Sequence, residues 1–375
     1  MMKSKKLVLI IVSFISISLV VSLTTIFLTL NQDHEKTQFI HIKSDKDFAN
    51  YNFPGSGTKN DPFIIEGYEL GFETRDIKDY SALLLISNVT KHVIIRNNLL
   101  NGSHIGIAIV GSKQSSVLIE NNYFKAQKQC INSICFNSFY GIKIYDSSNV
   151  TIRNNEFQES NYDGYIYGIF FERSENIEIL DNVVSSFYAI YGFDSYSFNI
   201  SGNYYYESVD IYFEQCSYFN VKNNIHDYLF RFKLRYSSLM LFEKNTIMGY
   251  GTGFGLIFEF STDMIISNNT FDENYNGISI IDSHWIDIID NTFQFNVNYS
   301  IEILGYSSNH EIYLNKFIDN NLNFNGLAQA LDNGYDNSWS NEVLELGNAW
   351  SDIGTSSVYY IDGTADSIDY SPLVE

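Results

Sequence analysis

Proline is nearly missing from this chain of 375 residues. There are three, Pro54, Pro62 and Pro372, and none lies between 63 and 371. Proline removes a backbone donor and breaks helices and central strands, so a stretch that long without it implies an unbroken hydrogen-bonded ladder. Positive charge is scarce as well: 23 Lys+Arg stand against 44 Asp+Glu, a net charge of −21. Three of those cations, Lys3, Lys5 and Lys6, precede the first apolar run, which leaves the remainder still more acidic. Such a surface repels phosphate backbones and anionic lipid and excludes nucleic acid as a partner. The seven histidines are scattered, methionine numbers only five, and no pair has ligand spacing, which argues against metal chemistry. Of the three cysteines, Cys130 and Cys135 lie close enough for a small local disulfide and Cys216 is left over; three unpaired thiols fit equally well.

Against these absences, hydrophobic residues make up 45% of the chain, enough for a sizeable core. Leu7 to Leu30 is a 24-residue run without a charged side chain. At 1.5 Å per helical residue it reaches about 36 Å, sufficient to span a bilayer with some tilt. It exceeds a signal-peptide core, and no small-residue cleavage site closes it. The expectation is a membrane anchor through residues 7–30, lysines inside and 31–375 outside on the cell surface, with secretion after signal cleavage as the alternative.

The strongest signal is a repeat of apolar-x-apolar followed shortly by asparagine. The asparagines are Asn98, Asn122, Asn155, Asn182, Asn203, Asn224, Asn245, Asn269, Asn291 and Asn315, spaced 24, 33, 27, 21, 21, 21, 24, 22 and 24 residues apart. Upstream of each lies a strand-like segment such as GIAI from Gly106, GIKI from Gly141, GIFF from Gly168 or DIYF from Asp210. Its second and fourth residues are apolar, the period-two pattern of a strand with one buried face. Units of this length with three short strands and no helical period fit neither propeller blades nor leucine-rich repeats. The chain therefore reads as all-β, a parallel β-helix of ten or eleven coils, roughly 50 Å long at ~4.8 Å per coil. The asparagines are expected to stack inward as a structural ladder, each in the left-handed conformation that asparagine tolerates. The expected division is 1–38 anchor or signal segment, 39–81 N-terminal cap and first coil, 82–325 repeats and 326–375 C-terminal cap.

Gly55 to Tyr68, holding Asp61-Pro62 and Glu66-Gly67-Tyr68, resembles the entry motif of exported archaeal right-handed β-helix proteins of the NosD-like and CASH (carbohydrate-binding and sugar-hydrolase) repeat families, which implies a right-handed parallel β-helix. Asp332-Asn333-Gly334, Asn337, Trp339, Gly347-Asn348-Ala349-Trp350-Ser351-Asp352 and Asp369-Tyr370-Ser371-Pro372-Leu373 resemble the same families' closing motif. The resemblance covers roughly residues 50–375 and implies a surface or periplasmic β-helix associated with carbohydrate. Ala349 departs from the usual aromatic, and the loop after Ser351-Asp352 is shortened to Ile353–Val358. No cofactor is called for; calcium stays open.

If the second and fourth residues of each segment point inward, the third and fifth stack on one outer face. The third column reads Ala108, Lys143, Phe170, Tyr191, Tyr212, Arg231, Ile257, Ser279, Glu302; the fifth reads Val110, Tyr145, Glu172, Phe193, Glu214, Lys233, Glu259, Ile281, Leu304. Exposed rings are costly unless something covers them, and sugars stack on rings. Tyr145, Phe170, Tyr191, Phe193, Tyr212 and Arg231 are thus the candidate ligand-binding set. Glu172, Glu214 and Glu259 lie two coils apart, about 9.6 Å by strand spacing, near the carboxylate separation of an inverting glycosidase. With Lys233 as base they would alternatively suit a lyase. A cross-strand charge ladder accounts for the same residues. His226 and His284 read as turn residues. The functional readings are a non-catalytic glycan-binding or structural surface module, a polysaccharide hydrolase or lyase, and a scaffold for cell-surface proteins.

Overall fold

A computed structural model describes residues 35–37, 39–71, 82–102, 104–126, 130–131, 134–135, 138–158, 165–185, 188–321 and 328–373. The run Leu7–Leu30 lies outside them; among the described residues no helix is long and apolar enough to cross a membrane.

The described chain winds as a parallel β-solenoid whose coils each carry three strands. Face 1 includes Ile105–Val110, Ser138–Tyr145, Tyr165–Glu172, Tyr188–Phe193, the later parts of Tyr204–Glu214 and Ile225–Arg235, then Phe254–Glu259, Ile278–Ile281 and Ile301–Leu304. Face 2 is an eleven-stranded parallel sheet from Phe63–Glu66 to Glu311–Tyr313. Face 3 is made of short strands, among them Tyr123–Ala126, Glu156–Gln158, Thr246–Met248 and Lys316–Ile318. The repeat forms about nine coils rather than ten or eleven. The 3₁₀ helix Asp45–Asn50 precedes the first face 2 strand and buries Phe48, whose ring stacks on that of Phe63 at 4.3 Å. The segment between Ala126 and Ser138 contains a two-strand hairpin, Cys130–Ile131 against Ile134–Cys135, whose backbone register sets Cys130 opposite Cys135.

The core follows from alternation. Inward positions of face 1 and face 2 hold Ile, Val, Leu and Phe with almost no exposure, such as Ile142 and Ile144 or Ile177 and Ile179. Each such side chain removed from water contributes on the order of 1.5–3 kcal/mol. Face 3 contributes one inward residue per coil, and Phe271, Phe293, Phe317, Trp350 and Tyr359 stack there nearly parallel, with centroid separations of 3.9–5.2 Å. The glycine that opens several face 1 segments makes room for these rings. A Cβ on Gly141 would come within 2.6 Å of both the Phe157 ring and the Gly168 carbonyl.

Corners are built from a pair: a residue in the left-handed region, then an inward polar residue. Asn97, Asn121, Asn154, Asp181, Gly202, Asn223, Lys244, Asn268, Asp290 and Leu314 have φ between 52° and 71°, and each immediately precedes a ladder asparagine. The positive φ therefore belongs to the neighbour, not to the ladder residue itself. This corrects the expectation that the stacked asparagines are themselves left-handed, and explains the recurring Asn-Asn, Asp-Asn and Gly-Asn doublets. The ladder asparagine points into the core. Asn203 shows the pattern: its backbone N–H and Nδ2 both donate to Oδ1 of Asn224, at 2.9 and 3.0 Å. Its own Oδ1 accepts the same pair from Asn182. The ladder runs past Asn315 to Asn348 and ends on the Asp369 carboxylate.

A second ladder of serines supports the corner between faces 1 and 2. Ser112, Ser147, Ser174, Ser195, Ser237, Ser261, Ser283 and Ser307 are buried, and their hydroxyls accept the backbone N–H of the preceding coil. From Ser147 on, each stands eight residues before its asparagine. Cys216 occupies this column in the sixth coil, buried, with Sγ 3.5 Å from the Glu214 carbonyl and burial holding its thiol up at about 12. Sulfur is a weaker acceptor than a hydroxyl oxygen. Cys216→Ser is therefore expected to leave the fold intact and raise stability by ~0.5–1 kcal/mol, read as a shift of the denaturant midpoint at constant slope.

Candidate ligand-binding faces

Face 1 carries three outward columns. The register aligns Tyr140, Tyr167, Tyr188, Asp210, Arg231 and Phe254 in the first; Lys143, Phe170, Tyr191, Tyr212, Lys233 and Ile257 in the second; Tyr145, Glu172, Phe193, Glu214, Arg235 and Glu259 in the third. Two expected positions are thus corrected: Arg231 pairs with Asp210 and not with Tyr212, and Lys233 pairs with Tyr212 and not with Glu214. The segment Leu229 to Arg235 alternates in a way that admits two phases two residues apart. The bulges in this strand pair select the phase that buries Phe232 and Leu234 and leaves Phe230 exposed.

The aromatic columns were expected to stand exposed. They are half-buried instead, because the rings cover one another. Tyr140, Tyr167 and Tyr188 stack at 4.7 and 4.8 Å with tilts of 8° and 11°. Beside them Phe170, Tyr191 and Tyr212 stack at 5.3 and 5.0 Å. Edge contacts join the two columns, and the Lys143 ammonium lies over the rings of Tyr140 and Phe170. The result is a continuous ring platform two columns wide. Its first column escaped the sequence reading because a period of two counted back from Ile142 and Ile169 would turn Tyr140 and Tyr167 inward, whereas the structure sets them beside outward Phe170 and Lys143.

Charged groups close the platform on its C-terminal side. Asp210 is almost fully buried and accepts from Arg231 Nε and Nη2 at 2.9 and 2.8 Å. Burial raises its carboxyl above the ordinary range while Arg231 opposes the rise. Lys233 Nζ bonds Glu259 Oε1 at 2.6 Å, and Arg235 sits between Glu214 and Glu259 at 3.8 and 3.7 Å. Glu214 also accepts from the Tyr212 hydroxyl at 3.0 Å. The structure therefore joins Glu214, Glu259 and Lys233 in one ion-pair ladder through Arg235. Glu172 stands apart, in register with Tyr145 and Phe193.

Neither histidine expected in a turn sits in one: His284 opens the face 2 strand His284–Ile289, its Nδ1 2.8 Å from the Ser308 hydroxyl oxygen. His226 lies on a face 3 strand pointing inward, fully buried, its ring stacked 4.7 Å from that of Tyr205. His310 is an inward residue of the face 2 column, below Ile286, whose N–H it accepts at 3.1 Å. Burial lowers these imidazoles to about 3 and about 4.

Residues 188–355 match the family described as periplasmic copper-binding protein (NosD), and residues 67–208 match the right-handed β-helix region family. Each match covers less than half of the chain, and with the parallel solenoid topology they mark a similarity to NosD-like right-handed β-helix proteins. No curated protein sequence matches it. Among solved structures, this chain is similar to PfbA, a surface adhesin of Streptococcus pneumoniae, at 18% identity and TM-score 0.52 over 66% of this chain and 72% of that one. It is also similar to the Family 28 exopolygalacturonase of Yersinia enterocolitica, at 10% identity and TM-score 0.51 over 82% and 72%. At these identities the likeness is one of fold. Among the described residues no donor set answers to the copper in the matched family's description. Among the described residues no three His, Cys, Asp or Glu side chains converge on a metal position. Cys216, His226, Met240 and Met264 all serve as inward packing residues.

Proposed function

We propose that this protein is a non-catalytic glycan-binding or structural module that works outside the cytoplasm. The observation that carries this reading is the ring platform of Tyr140, Tyr167, Tyr188, Phe170, Tyr191 and Tyr212, bounded by the Asp210–Arg231 pair. Flat aromatic surface beside oriented charged groups matches the apolar faces and hydroxyl rims of sugar rings. The matched family is described as periplasmic, and the uncharged run Leu7–Leu30 behind three lysines supports export and tethering at the cell surface.

The ion-pair ladder favours binding over turnover. Glu214 and Glu259 share the cation Arg235, and Lys233 is bonded to Glu259, so these groups neutralise one another rather than face an attacking water. A hydrolase or lyase on the exposed strand face, the reading that uses Glu172, Glu214, Glu259 and Lys233, would require that ladder to open.

A glycan array probed with the protein, with calcium and with EDTA, tests the reading. Binding in wild type should drop at least tenfold in Tyr191→Ala and in Tyr212→Ala and survive in Glu214→Gln. Binding unchanged in both tyrosine variants sinks the platform. Release of reducing ends from polysaccharide, abolished in Glu214→Gln, would establish an enzyme instead. Absence of both would leave the surface-protein scaffold.

A further inference from the structure

On face 3, away from the ring platform, the same middle coils form a cavity of about 430 Å³ lined by Tyr204, Tyr206, Glu207, Asp227, Tyr228 and Tyr250. Four of the six lining residues are tyrosines, two are acids, and none is a cation. Tyr204 and Tyr206 stack at 5.7 Å on one side, and Tyr228 and Tyr250 at 5.6 Å on the other. Asp227 is held between them: its Oδ2 accepts from the Tyr204 hydroxyl at 3.0 Å and its Oδ1 from the Tyr250 hydroxyl at 2.7 Å.

Two features mark this cavity as more than a gap between turns. Tyr228 and Tyr250 have φ of 67° and 47°, in the left-handed region, where glycine or asparagine costs less than a tyrosine. Both rings also remain substantially exposed, at 41% and 50%. Neither backbone conformation nor burial asks for a tyrosine at these corners. Asp272 and Glu273 stand beside Tyr250 and add acidic groups to this side of the cavity.

We infer that this cavity is a binding site for an organic cation, a protonated amine or quaternary ammonium group, held over the faces of Tyr228 and Tyr250 and beside Asp227 and Glu207. Aromatic faces attract cations through their quadrupole, and uncompensated carboxylates add a long-range term of the same sign. A neutral sugar fits less well. It needs donors as well as acceptors, and the Tyr204 and Tyr250 hydroxyl protons are already committed to Asp227. A divalent metal fits less well too, since no three ligating side chains converge there among the described residues.

The test is calorimetric titration of the full chain with tetramethylammonium chloride and with propylammonium chloride, against sodium chloride at matched ionic strength. Saturable binding of at least one organic cation is expected, weakened about tenfold or more in Tyr228→Ala and in Asp227→Asn. Tyr228 is exposed, so its truncation leaves the fold in place. No saturable heat beyond that of sodium chloride overturns the inference, as does an unchanged affinity in Tyr228→Ala. Equal competition by glucose would overturn it in favour of a second sugar site. Glycan binding at face 1 is read in separate variants, so either proposal can fail alone.

Discussion

His226→Phe is expected to make the protein more resistant to acid, by an amount that grows as pH falls from 6.5 towards 3. The wild-type imidazole is fully buried and stacked on Tyr205, and among the described residues neither ring nitrogen has a hydrogen-bond partner. Unfolded, it takes up a proton near pH 6.5; folded, it resists down to about 3. Between those values the unfolded chain binds more protons, so acid drives unfolding, and the neutral imidazole's contribution is lost as pH falls. The difference amounts to roughly 4 kcal/mol at pH 3. His310 acts in the same sense over a narrower window, down to about 4. Glu156 acts oppositely: burial raises it to about 7, so its contribution is present in acid and fades as pH rises through 7. The wild-type profile is a sum of these, and subtracting it from that of His226→Phe isolates the histidine. Urea titrations at half-unit intervals from pH 3 to 7.5 read the difference directly. A gap between the two proteins that does not change with pH would refute the assignment.

Asn203→Ala should cost the most of any single truncation in the middle coils, on the order of 4–6 kcal/mol. It removes the acceptor of Asn182 N–H and Nδ2, and the donor to the Ile179 carbonyl and to Asn224. Each buried group left without a partner costs ~1–3 kcal/mol, and the alanine leaves a small cavity besides. Asn203→Asp should fare nearly as badly, because a carboxylate accepts but cannot donate onward. At Asp369 the demand is reversed. There Oδ2 accepts from Asn348 N–H and from the Trp350 indole, Oδ1 accepts from Ser371, and nothing is donated. In Asp369→Asn one of those acceptors becomes an amide NH2 facing an N–H, so a single bond is lost, at ~1–3 kcal/mol, less than in either Asn203 variant. Chemical denaturation of the three variants checks the order, and an Asn203→Asp protein as stable as Asp369→Asn would contradict it. Because coils contact only their neighbours, the Asn203 lesion should also split the unfolding transition rather than shift it whole.

The ladder and the alternation were readable because each repeats in every coil: Asn182, Asn203, Asn224 and Asn245 recur at a constant interval, and Ile177 and Ile179 keep their phase. What escaped was information carried by pairs or by single residues. The left-handed residue sits one place before its asparagine, and where both are asparagine the two roles look alike. Residues 229–235 alternate through both phases, so only pairing with Tyr212 and Ile257 decides between Arg231 and Lys233 as the middle residue. His226 looks like a turn residue because a face 3 strand shows only one inward side chain per coil, too few to display a period. The platform was legible in half: the columns through Phe170 and Tyr191 were seen, while Tyr140, Tyr167 and Tyr188 lay beyond the four-residue frame. The cavity at Tyr228 and Tyr250 had no sequence signal beyond tyrosine density.

The ladder also has a consequence for how such a chain can change over generations. Asn182, Asn203, Asn224 and Asn245 follow one another at 21 residues, and each makes the same bonds to the coil above and the coil below. Loss or duplication of one such stretch hands each amide an equivalent partner and leaves both ends unaltered. The length of the rod is thus a dial that genetic slippage can turn a notch at a time, shortening or lengthening the reach of the molecule without redesigning its caps.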